Sequence, residues 1–216
     1  VFIAQTDARN EVNGRSGTKK HGLAELQNRA FLNQITSIDL GQPDIQKPTF
    51  MNLEPLPPKQ PEQDMALATP FAIEITPDDS TLVVSAAGSD KIFTVDVETG
   101  NVLSRVDVEA VPRGIALATS GDGKQTHAWV LNAVANTVSL VDVSNPAKLA
   151  ALATVPLQDP TDPAIKRGRI AFNTGAASST GTFSCASCHP DGHTDQLLWV
   201  LTVSYTHLTL PTNREV

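Results

Sequence analysis

Cysteine is scarce in this chain. Two residues in 216, Cys185 and Cys188, cannot staple a disulfide framework, so their meaning must lie in their spacing. Basic residues are in deficit: 16 Lys and Arg stand against 23 Asp and Glu, a formal charge of −7 with an isoelectric point near 5.1. Nucleic-acid phosphates demand a basic face, and that class of partner is excluded. No run approaches the roughly 18 apolar residues that a membrane-spanning helix needs. Charged residues, at 18%, are too few for a disordered chain, while 40% hydrophobic residues suffice for a buried core.

What is present is repetition. The stretch 82–97 can be laid over 128–143 at an offset of 46, and Pro70-Phe-Ala-Ile73 over Pro112-Arg-Gly-Ile115 at an offset of 42. The difference falls in a turn, where Thr76-Pro-Asp-Asp-Ser80 becomes the longer 119–127 segment. Each unit reads as apolar strand, Pro/Asp/Gly turn, apolar strand, polar turn, alternating strand, then a further turn and strand. Four strands in a period in the 40s predict a β-propeller blade, which cannot bury both faces alone and stacks on its neighbours. The Asp78-Asp79 pair is turn chemistry rather than an acid–base dyad. A third, divergent copy is expected at the start, with 2–10 as its second strand and 34–40 as its third. Lys19, Lys20 and His21 would sit on the loop between them, and His127 on a later blade turn.

Thr76-Pro77-Asp78-Asp79 and Val95-Asp96-Val97-Glu98-Thr99-Gly100 resemble the repeats of YVTN-type, lactonase-like seven-bladed propellers. The resemblance implies a mainly β fold, here two to three four-stranded blades over residues 1–157. Between residues 42 and 69 the blades are interrupted by a Pro-rich insertion. Seven of the 15 prolines lie from Pro43 to Pro70, a composition that favours extended, solvated chain, read equally as a loop covering a propeller face or docking a partner and as an insertion of no particular consequence.

The motif that carries chemistry is Cys185-Ala-Ser-Cys188-His189, the c-type haem attachment pattern. Two cysteines three apart can each add to a haem vinyl group as a thioether, and the following histidine then presents its imidazole to the iron as proximal ligand. Three rival readings are weaker, the first being a chance Cys-x-x-Cys-His, uncommon in a chain with only two cysteines. A thioredoxin-like pair lacks its βαβ setting, and a zinc site has only Cys185, Cys188 and His193 of the four ligands required.

The flanks agree with haem. Asp162 is expected as the N-cap and Pro163 as the first residue of a short helix with apolar Ile165, Ile170 and Phe172. Gly168-Arg-Ile-Ala-Phe172, followed by a loop and the Cys-x-x-Cys-His motif, resembles the opening of a cytochrome c domain. The segment from Phe172 to Asp195 is also similar to di-haem cytochrome c peroxidase relatives. The resemblance implies that residues 158–202 are the truncated start of an α-helical cytochrome c domain carrying haem c. Gly168 would then allow close approach of a partner helix. Peroxidase activity would need a second haem, and the chain has one motif.

Both methionines, Met51 and Met65, lie upstream, so a sixth iron ligand is not assigned. His193 reads as a loop histidine, and Trp199 with Leu197-Leu198 as packing around the haem or core. Val1-Phe2-Ile3-Ala4 reads as the interior of a strand, so a preceding segment is expected. Residues 203–212 resemble the in-frame translation of a transposon adapter used in DNA library preparation. The tail 203–216, with Tyr205 and His207, is therefore expected to be non-native. The resulting expectation is a periplasmic or extracellular electron-transfer protein with a redox partner protein. The alternative is a propeller binding module in which the haem is accessory.

Overall fold

The computed structural model describes residues 1–9, 16–17, 20–21, 29–41, 47–62, 64–197 and 199, with backbone alone at 16–17 and 20–21. The expected non-native tail, Leu198, Lys19 and Pro43 lie outside these residues, as do the side chains of Lys20 and His21.

Strands β1 (Phe2–Ala8), β4 (Phe31–Ser37) and β5 (Thr49–Asn52) form an antiparallel sheet in the order β1-β4-β5. Between its first two strands, β2 (Ser16–Gly17) and β3 (Lys20–His21) pair with each other. A four-stranded sheet follows: β6 (Pro70–Ile75), β7 (Thr81–Ala86), β8 (Lys91–Asp96) and β9 (Val102–Asp107). The next comprises β10 (Pro112–Thr119), β11 (Thr126–Asn132), β12 (Thr137–Asp142) and β13 (Ala150–Pro156). Both four-stranded sheets run in sequence order, and the fold is a partial β-propeller.

The repeat is visible in the register. Thr81 faces Asp96 across β7 and β8, and His127 faces Asp142 across β11 and β12, each 46 residues on. His127 therefore belongs to a strand, not to the turn expected of it. The turns repeat as well. Asp78 Oδ1 accepts from Thr76 Oγ1 at 2.6 Å, and Asp122 Oδ1 accepts from Ser120 Oγ at 2.6 Å. The longer loop thus keeps the side-chain bond that closes the shorter one. These hydrogen bonds hold both carboxyls below their ordinary range.

Alternation along β7 explains the stacking. Leu82 and Val84 join Phe93, Ile35, Leu53 and Leu67 in one core cluster, while Val83 and Ile92 join Ala128, Val130 and Val141 in another. All of β7 is buried because neighbours cover both faces of its sheet. On the far side, Trp129, Leu131, Leu152 and Val155 are exposed, and β13 is exposed throughout.

Two expectations shift. The divergent copy pairs Phe2 with Ser37 through Ala8 with Phe31, so its second observed strand begins at Phe31, where Phe31 and Asn33 are buried. The chain between 47 and 69 is less solvated than its prolines suggest. Thr49–Asn52 completes the first sheet, and Leu53, Glu54 and Ala66 to Ala68 are buried. The apolar residues between the prolines outweigh the composition signal.

Candidate functional site

The segment after β13 sits on one rim of the sheets, formed by the β7–β8 turn, the β9–β10 link and the β11–β12 turn. Helix α1 (Pro163–Asn173) starts as its sequence predicts: Asp162 Oδ1 accepts from Ala164 N at 2.8 Å, with Pro163 in the first turn. Ile170 packs on the small cluster Ala87, Ala110, Val111 and Ala135. Lys166 Nζ donates to the Ala135 carbonyl at 2.6 Å and pairs with Asp159 Oδ2 at 2.9 Å. With Thr161 N also donating to Asp159, that carboxyl is held down to about 2. Gly168 has nothing within 4 Å of where a Cβ would stand, so among the described residues no partner helix reaches it.

Beyond α1 the chain is pressed against the propeller. Gly175 N donates to the Gly88 carbonyl at 2.7 Å, and a Cβ on Gly175 would lie 2.6 Å from the Gly181 carbonyl oxygen. Phe31 stacks with Phe183 and Trp199 at centroid distances of 6.1 and 5.0 Å. Trp199 therefore packs on the first sheet, and its Nε1 donates to Asp195 Oδ2 at 2.7 Å.

The motif itself forms helix α2 (Cys185–Cys188), opened by Ser184, whose N–H donates to Ser187 Oγ at 3.0 Å. At about 100° per residue, positions three apart fall on one helix face, so both thiols stand on the same side. Cys185 is exposed, Cys188 half-buried, and both are free. Burial pushes the Cys188 thiol up to about 11, with help from the Asp195 carboxylate and Cys185.

His189 caps α2, its N–H donating to the Cys185 carbonyl at 3.0 Å. The imidazole is exposed, with Nδ1 2.9 Å from the His193 carbonyl oxygen. A carbonyl can only accept, so Nδ1 is the donor in this contact, and in the neutral imidazole the lone pair then lies on Nε2. Phe172 lies with its ring centroid 6.5 Å from the imidazole. Asp195 N donates to the Cys188 carbonyl at 2.9 Å and closes the loop beneath the motif. Asp162 to Asp195 is thus one continuous unit, and the proximal half of a haem c site fits these residues.

His193 contributes through its backbone carbonyl, which no reading of side-chain types would have found. Met51 packs into the core between the first two sheets, and Met65 Sδ lies 3.4 Å from Arg105 Nη1. Among the described residues, no group of three or more His, Cys, Asp or Glu side chains is arranged to hold a metal ion.

A second feature escaped the sequence altogether. Glu54, inside the Pro-rich stretch, accepts from Arg29 Nη2 at 2.8 Å, from the Leu67 N–H at 2.8 Å and from Asn33 Nδ2 at 3.2 Å. Asn33 Nδ2 also donates to the Thr182 carbonyl at 3.0 Å, three residues before Cys185. Burial pushes the Glu54 carboxyl up, against the pull of the Leu67 N–H, Arg29 and Asn33. This network ties the first sheet, the Pro-rich stretch and the cysteine segment into one junction.

No curated protein sequence matches the chain. Among solved structures, hydrazine synthase of Kuenenia stuttgartiensis is similar at 20% identity and a TM-score of 0.42, over 60% of this chain and 33% of that one. The periplasmic gluconolactonase of Pseudomonas aeruginosa is similar at 18% identity and a TM-score of 0.40, over 60% and 35%. The dihydro-heme d1 dehydrogenase NirN follows at 14% identity and a TM-score of 0.39, over 61% and 26%. The chain thus spans only 26 to 35% of the length of these three structures. The sequence model of the family described as lactonase, 7-bladed beta-propeller matches residues 33–207, a range that includes the cysteine motif. The chain belongs to that family.

Proposed function

We propose that the chain is a c-type haem-binding electron-transfer protein whose haem segment is mounted on a lactonase-like β-propeller. The observation that carries this reading is the 2.9 Å contact between His189 Nδ1 and the His193 carbonyl oxygen. Nδ1 donates there, so in the neutral imidazole an exposed Nε2 lone pair stands one residue past two thiols on a shared helix face. Cys185 and Cys188 would each add S–H across a vinyl group, with the sulfur bonding to the porphyrin side chain and the proton going to its neighbouring carbon. His189 would hold the iron from the proximal side, and Phe172 would cover part of the ring. Haem c, when bound, supplies a one-electron iron couple whose potential is set by its axial ligands and its burial.

On this reading residues 158–202 are the beginning of a cytochrome c domain and 1–157 the propeller. A redox partner protein is implied. Covalent haem attachment needs reduced thiols and export, so the working location is the periplasm or the cell exterior. A cytochrome c peroxidase-like oxidoreductase would need a second haem site beside this one.

The test is expression of the full chain with haem c maturation machinery, followed by visible spectroscopy of the purified protein. A Soret band that survives denaturation supports the reading. Cys188→Ser should lose one thioether and shift the reduced α-band to longer wavelength, while His189→Ala should keep attachment and lose the proximal-histidine spectrum. A full chain that emerges colourless with both thiols free overturns it.

A further inference from the structure

Strands β6 and β10 lie at the edges of their sheets and run beside each other, the placement of the innermost strands around a propeller axis. Each begins with the same device. The pairing register slips between Pro70 and Ile73 in one and between Pro112 and Gly114 in the other. A bulge re-aims the side chain it carries. Phe71 and Arg113, equivalent residues of the two repeats, meet there: the guanidinium carbon lies 4.9 Å from the Phe71 ring centroid.

Among the described residues that cation has one acidic partner, and it comes from the segment after the cysteines. Arg113 Nη1 donates to Asp191 Oδ1 at 2.9 Å, across 78 residues of sequence. The bond is single, whereas a guanidinium fork matches a carboxylate through two parallel N–H donors. Arg113 Nε is buried with no hydrogen-bond partner among the described residues. The Asp191 side chain is 75% exposed against 32% for Arg113, so this pair is weakly held and exchangeable. A cavity of about 90 Å³ adjoins it, lined by Phe71, Arg113, Asp191, Ala87, Asn173 and Ala186 among others. It is far too small for a porphyrin and of a size for the end of a small carboxylate.

We propose that Arg113, backed by Phe71, is a receptor for a small carboxylate at the axial mouth of the propeller, and that Asp191 is its internal occupant. An incoming carboxylate satisfies the unused Nε as well as Nη1 and displaces Asp191, releasing the turn that follows His189. The carboxylate is either a free acid of acetate size or a propionate of the attached haem.

Calorimetric titration of the full chain with sodium acetate, against sodium chloride at matched ionic strength, tests this. Asp191→Asn, exposed and harmless to folding, should bind acetate at least tenfold more tightly than the unaltered chain, and Arg113→Gln should show no saturable binding. Equal affinity in the Asp191→Asn and unaltered chains overturns the proposal. So does binding that survives Arg113→Gln or that chloride reproduces. In haem-loaded Asp191→Asn, lost acetate binding identifies the propionate as occupant, and retained binding the free acid. The haem-free arms stand whether or not haem attachment does.

Discussion

Arg29 and Glu54 meet in a buried ion pair, Nη2 to Oε2 at 2.8 Å, with both side chains 1% exposed. Neither charge can reach solvent if its partner is lost. Glu54→Gln leaves the Arg29 guanidinium uncompensated and should cost about 3–5 kcal/mol of unfolding free energy. The same change slackens Asn33, which also holds Thr182, so thiol labelling of Cys188 should speed up alongside. Urea unfolding of the variant and the unaltered chain measures the first effect, and mass spectrometry of labelled peptides the second.

The anchor of α1 is acid-sensitive. Asp159, held down to about 2 chiefly by Lys166, has its carboxyl below the ordinary aspartate value of about 3.9. A group depressed on folding adds stability above its unfolded value, and this contribution is lost as pH falls through the folded one. The stability difference between the unaltered chain and Asp159→Asn should be constant above about pH 5. It should shrink toward zero near pH 2, because Asp159 titrates at about 2. Thermal unfolding of both proteins across that range reads it.

The two thiols should separate in rate. Cys185 is exposed and reacts first with iodoacetamide, while half-buried Cys188 ionises only near pH 11. The Cys188 rate should therefore climb about tenfold per pH unit from neutrality up to that value, since the thiolate is the nucleophile. Peptide mapping of timed alkylation separates the two sites.

Two glycines in this segment should respond in opposite directions. Gly175→Ala would set a Cβ 2.6 Å from the Gly181 carbonyl oxygen and 3.1 Å from that of Gly88, so the chain must shift, costing about 1–3 kcal/mol. Gly168→Ala meets nothing within 4 Å on an exposed helix and should gain up to about 1 kcal/mol of helix propensity. Denaturant midpoints of the two variants give both signs.

The propeller was legible because it is periodic. The offset of 46 that aligns Thr81 with His127 and Asp96 with Asp142 carries one cross-strand pair, Thr81 with Asp96, onto another, His127 with Asp142. Local chemistry was legible too: Asp162 caps α1, and Asp78 closes its turn. What could not be read depends on residues far apart in sequence and on backbone atoms. Glu54 carries no signal among its prolines, since its partners Arg29, Asn33 and Leu67 meet it only in the fold. The His193 carbonyl that fixes the His189 tautomer belongs to the main chain. His127 was misplaced because the longer hairpin turn ends at Gln125, so pairing resumes one residue before it.

The most direct measurement is a haem-stained denaturing gel of the full chain matured in cells that attach haem c. Haem that stays with the denatured polypeptide, and is lost when Cys185 and Cys188 are both replaced by serine, is the predicted result. A band that is unstained while both thiols remain free would contradict the account.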